Sequence, residues 1–218
     1  MVLIIIIEFY FFTFTTYKFH QFKMQSNFKL PFSEFETNRL KLIKYSARYA
    51  HDSFLLYNDE EVMKWAGPDT HKTIDDTLLF IKSVTEASAD GKIIFWAVQL
   101  KENNKVIGDI SLQPDNKHKF ASVGTFLSKE YWQQGIMTEA MQPVLWFAFN
   151  KLNFNRIEAQ IYSEHIASIK LYKKLGFKKE GLLRQNFLID GAFKNSIMYS
   201  LLKKECKLIN NWKEVKSI

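Results

Sequence analysis

The spacing of hydrophobic and polar residues changes several times along the first half of this 218-residue chain. Polar and apolar residues alternate over 35–43, and this period of two predicts a β-strand. Apolar residues then recur at helical spacing in three segments. The predicted helices are 46–58, 60–65 and 73–89. Ser46 is the predicted capping residue of the first helix and Thr73 that of the third.

In the second half, short apolar runs alternate with further helical segments. Pro143 lies inside one of these helices and removes a backbone donor, so we expect a local kink there. Gly176 ends the other, and Asp190-Gly191 predicts a hairpin turn. The predicted strands are 93–100, 106–112, 121–127, 156–162, 181–189 and 193–202, with a loop at 114–119; the predicted helices are 138–152 and 166–175.

The first 25 residues differ from the rest because they are rich in Phe, Tyr and Ile without a regular pattern. Glu8, Lys18 and His20 interrupt the apolar run that a membrane-spanning helix needs. No basic leader or small-residue cleavage site indicates a secretory signal. We therefore predict an extension at 1–27, one domain at 28–206 and a tail at 207–218, with Met24 as a candidate true start. A membrane anchor is the alternative for the extension.

Composition and charge narrow the class of protein only modestly. Hydrophobic residues make up 47% and charged residues 24%, as in soluble globular proteins. The net charge of +7 suits a nucleic-acid binder, a membrane-surface protein or an enzyme for anionic substrates. The single cysteine, Cys206, excludes an internal disulfide framework, and the five histidines lack metal-ligand spacing, so we predict no metal site.

The segment with the clearest chemical potential is 131–140, Tyr-Trp-Gln-Gln-Gly-Ile-Met-Thr-Glu-Ala. It runs from an apolar strand through Gly135 into a predicted helix. The free N–H groups and the dipole at a helix N-terminus attract phosphate groups, and glycine allows a close approach. An ordinary strand-to-helix connection is the alternative. Neither the dinucleotide-binding glycine fingerprint nor the P-loop motif is present.

Trp132-x-x-Gly135-x-Met137 resembles the acetyl-CoA pyrophosphate loop of the GNAT N-acetyltransferases, although that family has Gln or Arg first and Gly or Ala last. Downstream, 163–177 resembles the family signature N-x-x-S-x-x-L-Y-x-x-x-G-F, with His165 in place of Asn. The resemblance extends over roughly 36–204. Within this family, the sequence most resembles the branch that includes the ribosomal-protein N-terminal acetyltransferases.

This resemblance implies an α/β (α+β) fold with a mixed, mostly antiparallel central sheet, flanking helices and a splayed strand pair at the cofactor cleft. It implies acetyl-CoA as co-substrate, no metal, and Tyr172 as the general acid that protonates the departing CoA sulfur. The cofactor-binding residues that it implies are Phe126, Leu127, Ser128, Gln133, Gln134, Gly135, Ile136, Met137, Thr138, His165 and Ser168.

Each of the downstream site residues also has a purely structural explanation. Tyr172 is equally a half-buried packing residue, and Ser168, four positions earlier on the same helix face, a solvent-facing hydroxyl. His165 either donates to the cofactor amide or faces solvent in a loop.

The general base that takes the proton from the attacking ammonium is not assigned. Asp109, Glu158 and Glu164 lie near the predicted cleft by topology, and each is also a candidate for a structural or solvated carboxylate. Ser122 stands where many relatives carry a Glu. Deprotonation through water is the alternative.

The predicted activity is transfer of an acetyl group from acetyl-CoA to a primary amine, with a protein N-terminal amine as the acceptor. The alternatives are a polyamine, amino sugar or antibiotic as acceptor, and a non-catalytic module that binds acyl-CoA or nucleic acid. We expect a cytoplasmic monomer or homodimer with no specific nucleic-acid partner and no stable membrane span.

Overall fold

The computed structural model describes residues 30–65, 69–189 and 191–207. The predicted extension at 1–27, the candidate start Met24 and nearly all of the predicted tail lie outside these residues. The two predicted boundaries, after residue 27 and after residue 206, therefore stay predictions.

Eight strands and five α-helices are found in the described residues. The strands are β1 (Phe35–Glu36), β2 (Leu40–Lys44), β3 (Ile94–Leu100), β4 (Val106–Asp115), β5 (Phe120–Leu127), β6 (Arg156–Tyr162), β7 (Lys178–Ile189) and β8 (Ala192–Leu202). The helices are α1 (Ala50–Tyr57), α2 (Glu60–Met63), α3 (Ile74–Ala89), α4 (Ile136–Asn150) and α5 (Ile166–Lys174).

The strands form a single sheet in the order β1-β2-β3-β4-β5-β6-β8-β7. Every neighbouring pair is antiparallel except β5 and β6, which are parallel. That parallel pairing spans only three positions, from Phe120 opposite Arg156 to Ser122 opposite Glu158. Beyond them the two strands no longer pair, so the sheet opens at this point. The predicted mixed, mostly antiparallel fold is confirmed.

Helix α4 is the central helix of the fold, because ten of its fifteen residues are buried. Its Phe147 meets Trp96 of β3 edge to face, with ring centroids 5.9 Å apart. Burial of each such side chain contributes about 1.5–3 kcal/mol. A second buried cluster on α1, α3 and β3 includes Tyr45, Ile81 and Phe95. The sheet that contains the opening between β5 and β6 is therefore supported by two buried hydrophobic clusters.

Of the two predicted helix-capping residues, Thr73 is confirmed and Ser46 is not. Thr73 and Asp76 form the predicted capping box, in which each side chain accepts from the other residue's backbone N–H. The prediction for Ser46 was wrong. Its side chain makes no capping hydrogen bond, and a 3₁₀ turn at Ala47–Tyr49 precedes the start of α1 at Ala50.

Two further predictions involved prolines. Helix α4 is continuous through Pro143, and the kink expected there stays a prediction. The predicted loop at 114–119 was wrong in its first two residues, because β4 continues to Asp115 and Pro114 pairs with Ala121. Pairing with β3 ends at Leu112, so Pro114 lies where β4 has lost its other neighbour. A strand tolerates proline at such an edge.

Candidate active site

A cavity of about 620 Å³ opens where β5 and β6 part. Residues 123–127 of β5 and 160–162 of β6 form its two sides. The remaining lining comes from the segment before α4, the start of α4, helix α5, and the side chains of Val62, Trp65 and Phe187. Residues of both sequence motifs, 131–140 and 163–177, therefore line the same cavity.

The backbone before α4 takes a conformation that few side chains allow. Gln133 has φ of 60° and Gly135 has φ of 75°, both in the left-handed region. Gly135 is the N-cap of α4, and no side chain caps the helix there. Successive N–H groups in such a turn and at a helix N-terminus form a positive concavity that suits a phosphate. The predicted turn through Gly135 into a helix is therefore present, and its binding of an anion stays a prediction.

Arg39 fixes this loop from a distant part of the chain. Its Nε donates to Glu139 Oε2 at 2.7 Å, and its Nη1 donates to the carbonyl oxygen of Gln134 at 3.1 Å. Glu139 Oε1 also accepts from the Arg39 N–H at 2.8 Å and from Thr37 Oγ1 at 2.5 Å. These donors outweigh the effect of burial and lower the pKa of Glu139. The turn between β1 and β2 is thus tied to the start of α4.

The charged side chains that line the large cavity, among the described residues, are Lys170 and Lys174, and no carboxylate lines it. The two lysines are four positions apart on α5, so they follow one another along the same helix face. Their positive charge adds to that of the α4 N-terminus. The cavity is therefore electrostatically suited to an anionic ligand.

Tyr172 lines the cavity but is only 3% exposed. Burial raises the pKa of its hydroxyl to about 12, while a hydrogen bond with the Thr125 side chain acts in the opposite direction. The ring packs edge to face on Phe177 with centroids 5.0 Å apart. At neutral pH the hydroxyl is therefore protonated and held in place, with Thr125 of β5 as its neighbour.

His165 lies at the start of α5 and stacks on Trp65, with ring centroids 4.7 Å apart and an interplanar angle of 13°. Burial, assisted by the charge of Lys64, lowers its pKa to about 4. The imidazole is consequently neutral at physiological pH. Ser168, one turn further along α5, lines the same cavity.

Most of the residues predicted for the cofactor site line the cavity, and two do not. Ser128 donates its N–H to the Ile107 carbonyl, which continues the pairing of β5 with β4. Gln134 turns its side chain to the Glu130 carbonyl at 2.7 Å. The cofactor-binding role stays a prediction for these two residues and for those that line the cavity. The residues that line the cavity as predicted are Phe126, Leu127, Gln133, Gly135, Ile136, Met137, Thr138, His165, Ser168 and Tyr172.

The three candidate general bases do not line the large cavity. Asp109 is buried and accepts from the Tyr57 hydroxyl at 2.6 Å, and burial raises its pKa to about 7. Glu158 is paired with Arg156, with 3.1 Å between Oε2 and Nε. Glu164 is exposed and lies 3.3 Å from the Lys194 ammonium. Direct proton abstraction by any of them is not favoured by this geometry.

Several residues of the site were missed by the sequence reasoning. The ring nitrogen of Trp132 donates to the Leu127 carbonyl at 2.7 Å and so fixes the loop to the end of β5. Lys170 and Lys174 were detectable, since they lie two positions on either side of Tyr172. Trp65 and Phe187 carried no signal, because only the fold brings them to the cavity.

Comparison with known proteins identifies the family. The sequence-family model described as acetyltransferase (GNAT) domain matches residues 39–178 of this chain. The N-acetyltransferase p20 of Bacillus licheniformis is 32% identical over 170 residues, which are 78% of this chain and 96% of that protein. The chain belongs to the GNAT N-acetyltransferase family and is an acyltransferase.

Solved structures of the same fold differ in their acceptors. The ribosomal-protein-S5-alanine acetyltransferase of Vibrio fischeri matches with a TM-score of 0.70 and 25% identity, over 80% of this chain and 99% of that one. The spermidine N-acetyltransferase of Vibrio cholerae, solved with CoA and spermine, matches with a TM-score of 0.69 and 19% identity, over 78% and 98%. The second likeness shows the fold alone.

Neither a candidate membrane span nor a candidate metal site is found within the described ranges. No helix there has the length and apolar character that a membrane span requires. No His, Cys, Asp and Glu side chains in the same ranges gather into a group of three that would hold a metal ion.

Proposed function

We propose that the large cavity binds acetyl-CoA, with the pyrophosphate against the backbone of 133–138. The observation that carries this proposal is the left-handed backbone at Gln133 and Gly135, directly before a helix that no side chain caps. Lys170 and Lys174 supply further positive charge in the same lining. The pantetheine arm would follow the opening between β5 and β6 towards Tyr172.

Tyr172 is proposed as the general acid. A CoA thiolate leaves when the acetyl group has moved to the amine, and a proton on the sulfur eases its departure. A hydroxyl with a pKa of about 12 keeps its proton at neutral pH, so it is available for that donation. The proton from the attacking amine passes to water in this proposal, because no carboxylate among the described residues lines the cavity.

A protein N-terminal amine is the proposed acceptor. The similarity to a ribosomal-protein acetyltransferase supports it. The second candidate is a polyamine, which the fold of a spermidine acetyltransferase suggests. A polyamine carries several positive charges, and no carboxylate among the described residues lines the large cavity to pair with them. The charge of the cavity therefore favours the peptide.

The test is an acetyl-CoA consumption assay of the full chain with two sets of acceptors, N-terminal peptides of ribosomal proteins and small amines that include spermidine. We expect turnover with a subset of the peptides. Turnover with spermidine and with no peptide would contradict the proposed acceptor and leave the acetyltransferase activity intact.

A further inference from the structure

A second, smaller cavity of about 170 Å³ adjoins the large one. Trp65 and Tyr162 line both cavities and so form a shared wall. A water molecule occupies about 30 Å³, so the smaller cavity has room for one amino-acid side chain. The remaining lining residues are Lys64, Glu164, Ile189, Lys194 and Asn195.

The shared wall is aromatic and built from separate parts of the chain. The Trp65 and Tyr162 rings have centroids 6.4 Å apart, and Tyr162 packs on Phe187 at 4.7 Å. Burial raises the pKa of Tyr162 to about 12, so its hydroxyl stays neutral. Such a wall suits the uncharged backbone of a ligand that passes from one cavity to the other.

The charged residues that line the smaller cavity are Lys64, Lys194 and Glu164. The Lys64 ammonium pairs with Glu61 at 2.6 Å and lies 5.5 Å from the Trp65 ring centroid. The Lys194 ammonium pairs more loosely with Glu164, at 3.3 Å. Both lysine side chains are partly exposed, at 44% and 38%. An ammonium has three donors, so each lysine has capacity for a further anionic partner.

From this arrangement we propose that the smaller cavity is a subsite for an acidic side chain next to the acceptor amine. The acceptor would place its N-terminal amine in the large cavity, with its second residue, Asp or Glu, across the shared wall at Lys64 and Lys194. This inference rests on the proposed protein N-terminal acceptor. It adds a sequence preference that depends on this chain's own lysines.

The test uses three amidated peptides that begin with alanine and differ only in their second residue, which is Glu, Gln or Lys. For the full chain we expect kcat/KM to fall in that order, with about a fivefold difference between Glu and Gln. The double variant Lys64→Gln/Lys194→Gln should lose the preference, and Lys64→Glu/Lys194→Glu should favour the peptide with Lys. Lys82→Gln, an exposed lysine of α3 outside both cavities, is the matched control and should keep the parent's order.

The outcomes separate this inference from the function on which it rests. Equal kcat/KM for the three peptides, or a preference unchanged in the double variants, would overturn the subsite and leave peptide acetylation standing. No turnover of any peptide, with binding of CoA retained, would overturn the proposed acceptor and the subsite together.

Discussion

The parts of the cavity that we propose to bind the cofactor and the acceptor, called here the cofactor side and the acceptor side, are built in different ways. On the cofactor side, the lining comes from one short loop before α4 and from α5, and Arg39 holds the loop in place. On the acceptor side, side chains from three separate segments meet, as in the contacts of Trp65 with Tyr162 and of Tyr162 with Phe187. Backbone recognition suits a ligand common to a family, whereas side-chain recognition is free to change with the acceptor.

The largest effect is expected on the cofactor side, from Gly135→Asp. A Cβ added there would lie 3.8 Å from Arg39 Nη2, in the loop proposed for the pyrophosphate. A carboxylate at this position would put a negative charge into that loop, and one unit charge about 4 Å from a phosphate at partial exposure costs enough to weaken binding on the order of 100-fold or more. Isothermal titration calorimetry with CoA measures it. Gly135→Asn is the matched control, because Asn has nearly the same size, tolerates the left-handed region and carries no charge. Equal losses in the two variants would point to backbone strain instead of charge.

Where the two sides meet, Tyr172→Phe should lower kcat about 100-fold, because a positioned general acid contributes roughly that factor. Affinity for CoA and the melting temperature should stay close to the parent's, since only one oxygen is removed. Single-turnover measurement with a good peptide acceptor isolates the chemical step. An unchanged rate in that measurement would return Tyr172 to a packing role.

Arg39→Ala tests whether the cofactor loop depends on its distant support. Loss of a charge-assisted contact of this kind is expected to weaken CoA binding about tenfold and to lower the melting temperature. Arg156→Ala removes a comparable guanidinium, which binds Glu180 with two contacts of 2.6 Å outside the cavity. That control should lose stability and keep its CoA affinity. A similar loss of affinity in both variants would mean that Arg39 acts only through global stability.

The smallest effect concerns His165 and pH. Its pKa is about 4 in the folded state against an ordinary value of 6.5, so the unfolded chain binds more protons between these values. Stability therefore falls as pH decreases from 6.5 towards 4. After allowance for solvent screening, this residue accounts for on the order of 1 kcal/mol. Denaturant unfolding at pH 7 and pH 5 should show a smaller loss for His165→Asn than for the parent, and parallel losses would contradict the assignment.

The features that the sequence predicted well are those that depend on a few neighbouring residues, as on the cofactor side. The strand predicted at 156–162 matches β6 without error, and Gly176, predicted to end its helix, has a positive φ there. The cofactor loop was recognisable because its chemistry lies within a few consecutive residues. Local signals of this kind need no knowledge of the tertiary fold.

Other features depended on contacts that the sequence does not encode locally. The partner of Arg39 lies 100 positions away at Glu139, so its role emerges only in the fold. The failure of Ser46 as a cap has no such explanation in the structure, where its hydroxyl is buried without a hydrogen-bond partner. Trp65 reaches the cavity from the end of α2. The acceptor side was unpredictable for this reason.

The early end of the pairing between β5 and β6 has a consequence for hydrogen bonding. After Ser122 and Glu158, the facing edges of the two strands carry backbone N–H and C=O groups that do not bond one another. Buried groups of this type need a partner. A ligand with amide groups spaced like a peptide would supply both donors and acceptors to them. The pantetheine arm that we propose to lie in this opening carries amide groups, so on that proposal the bound cofactor would complete the sheet between β5 and β6.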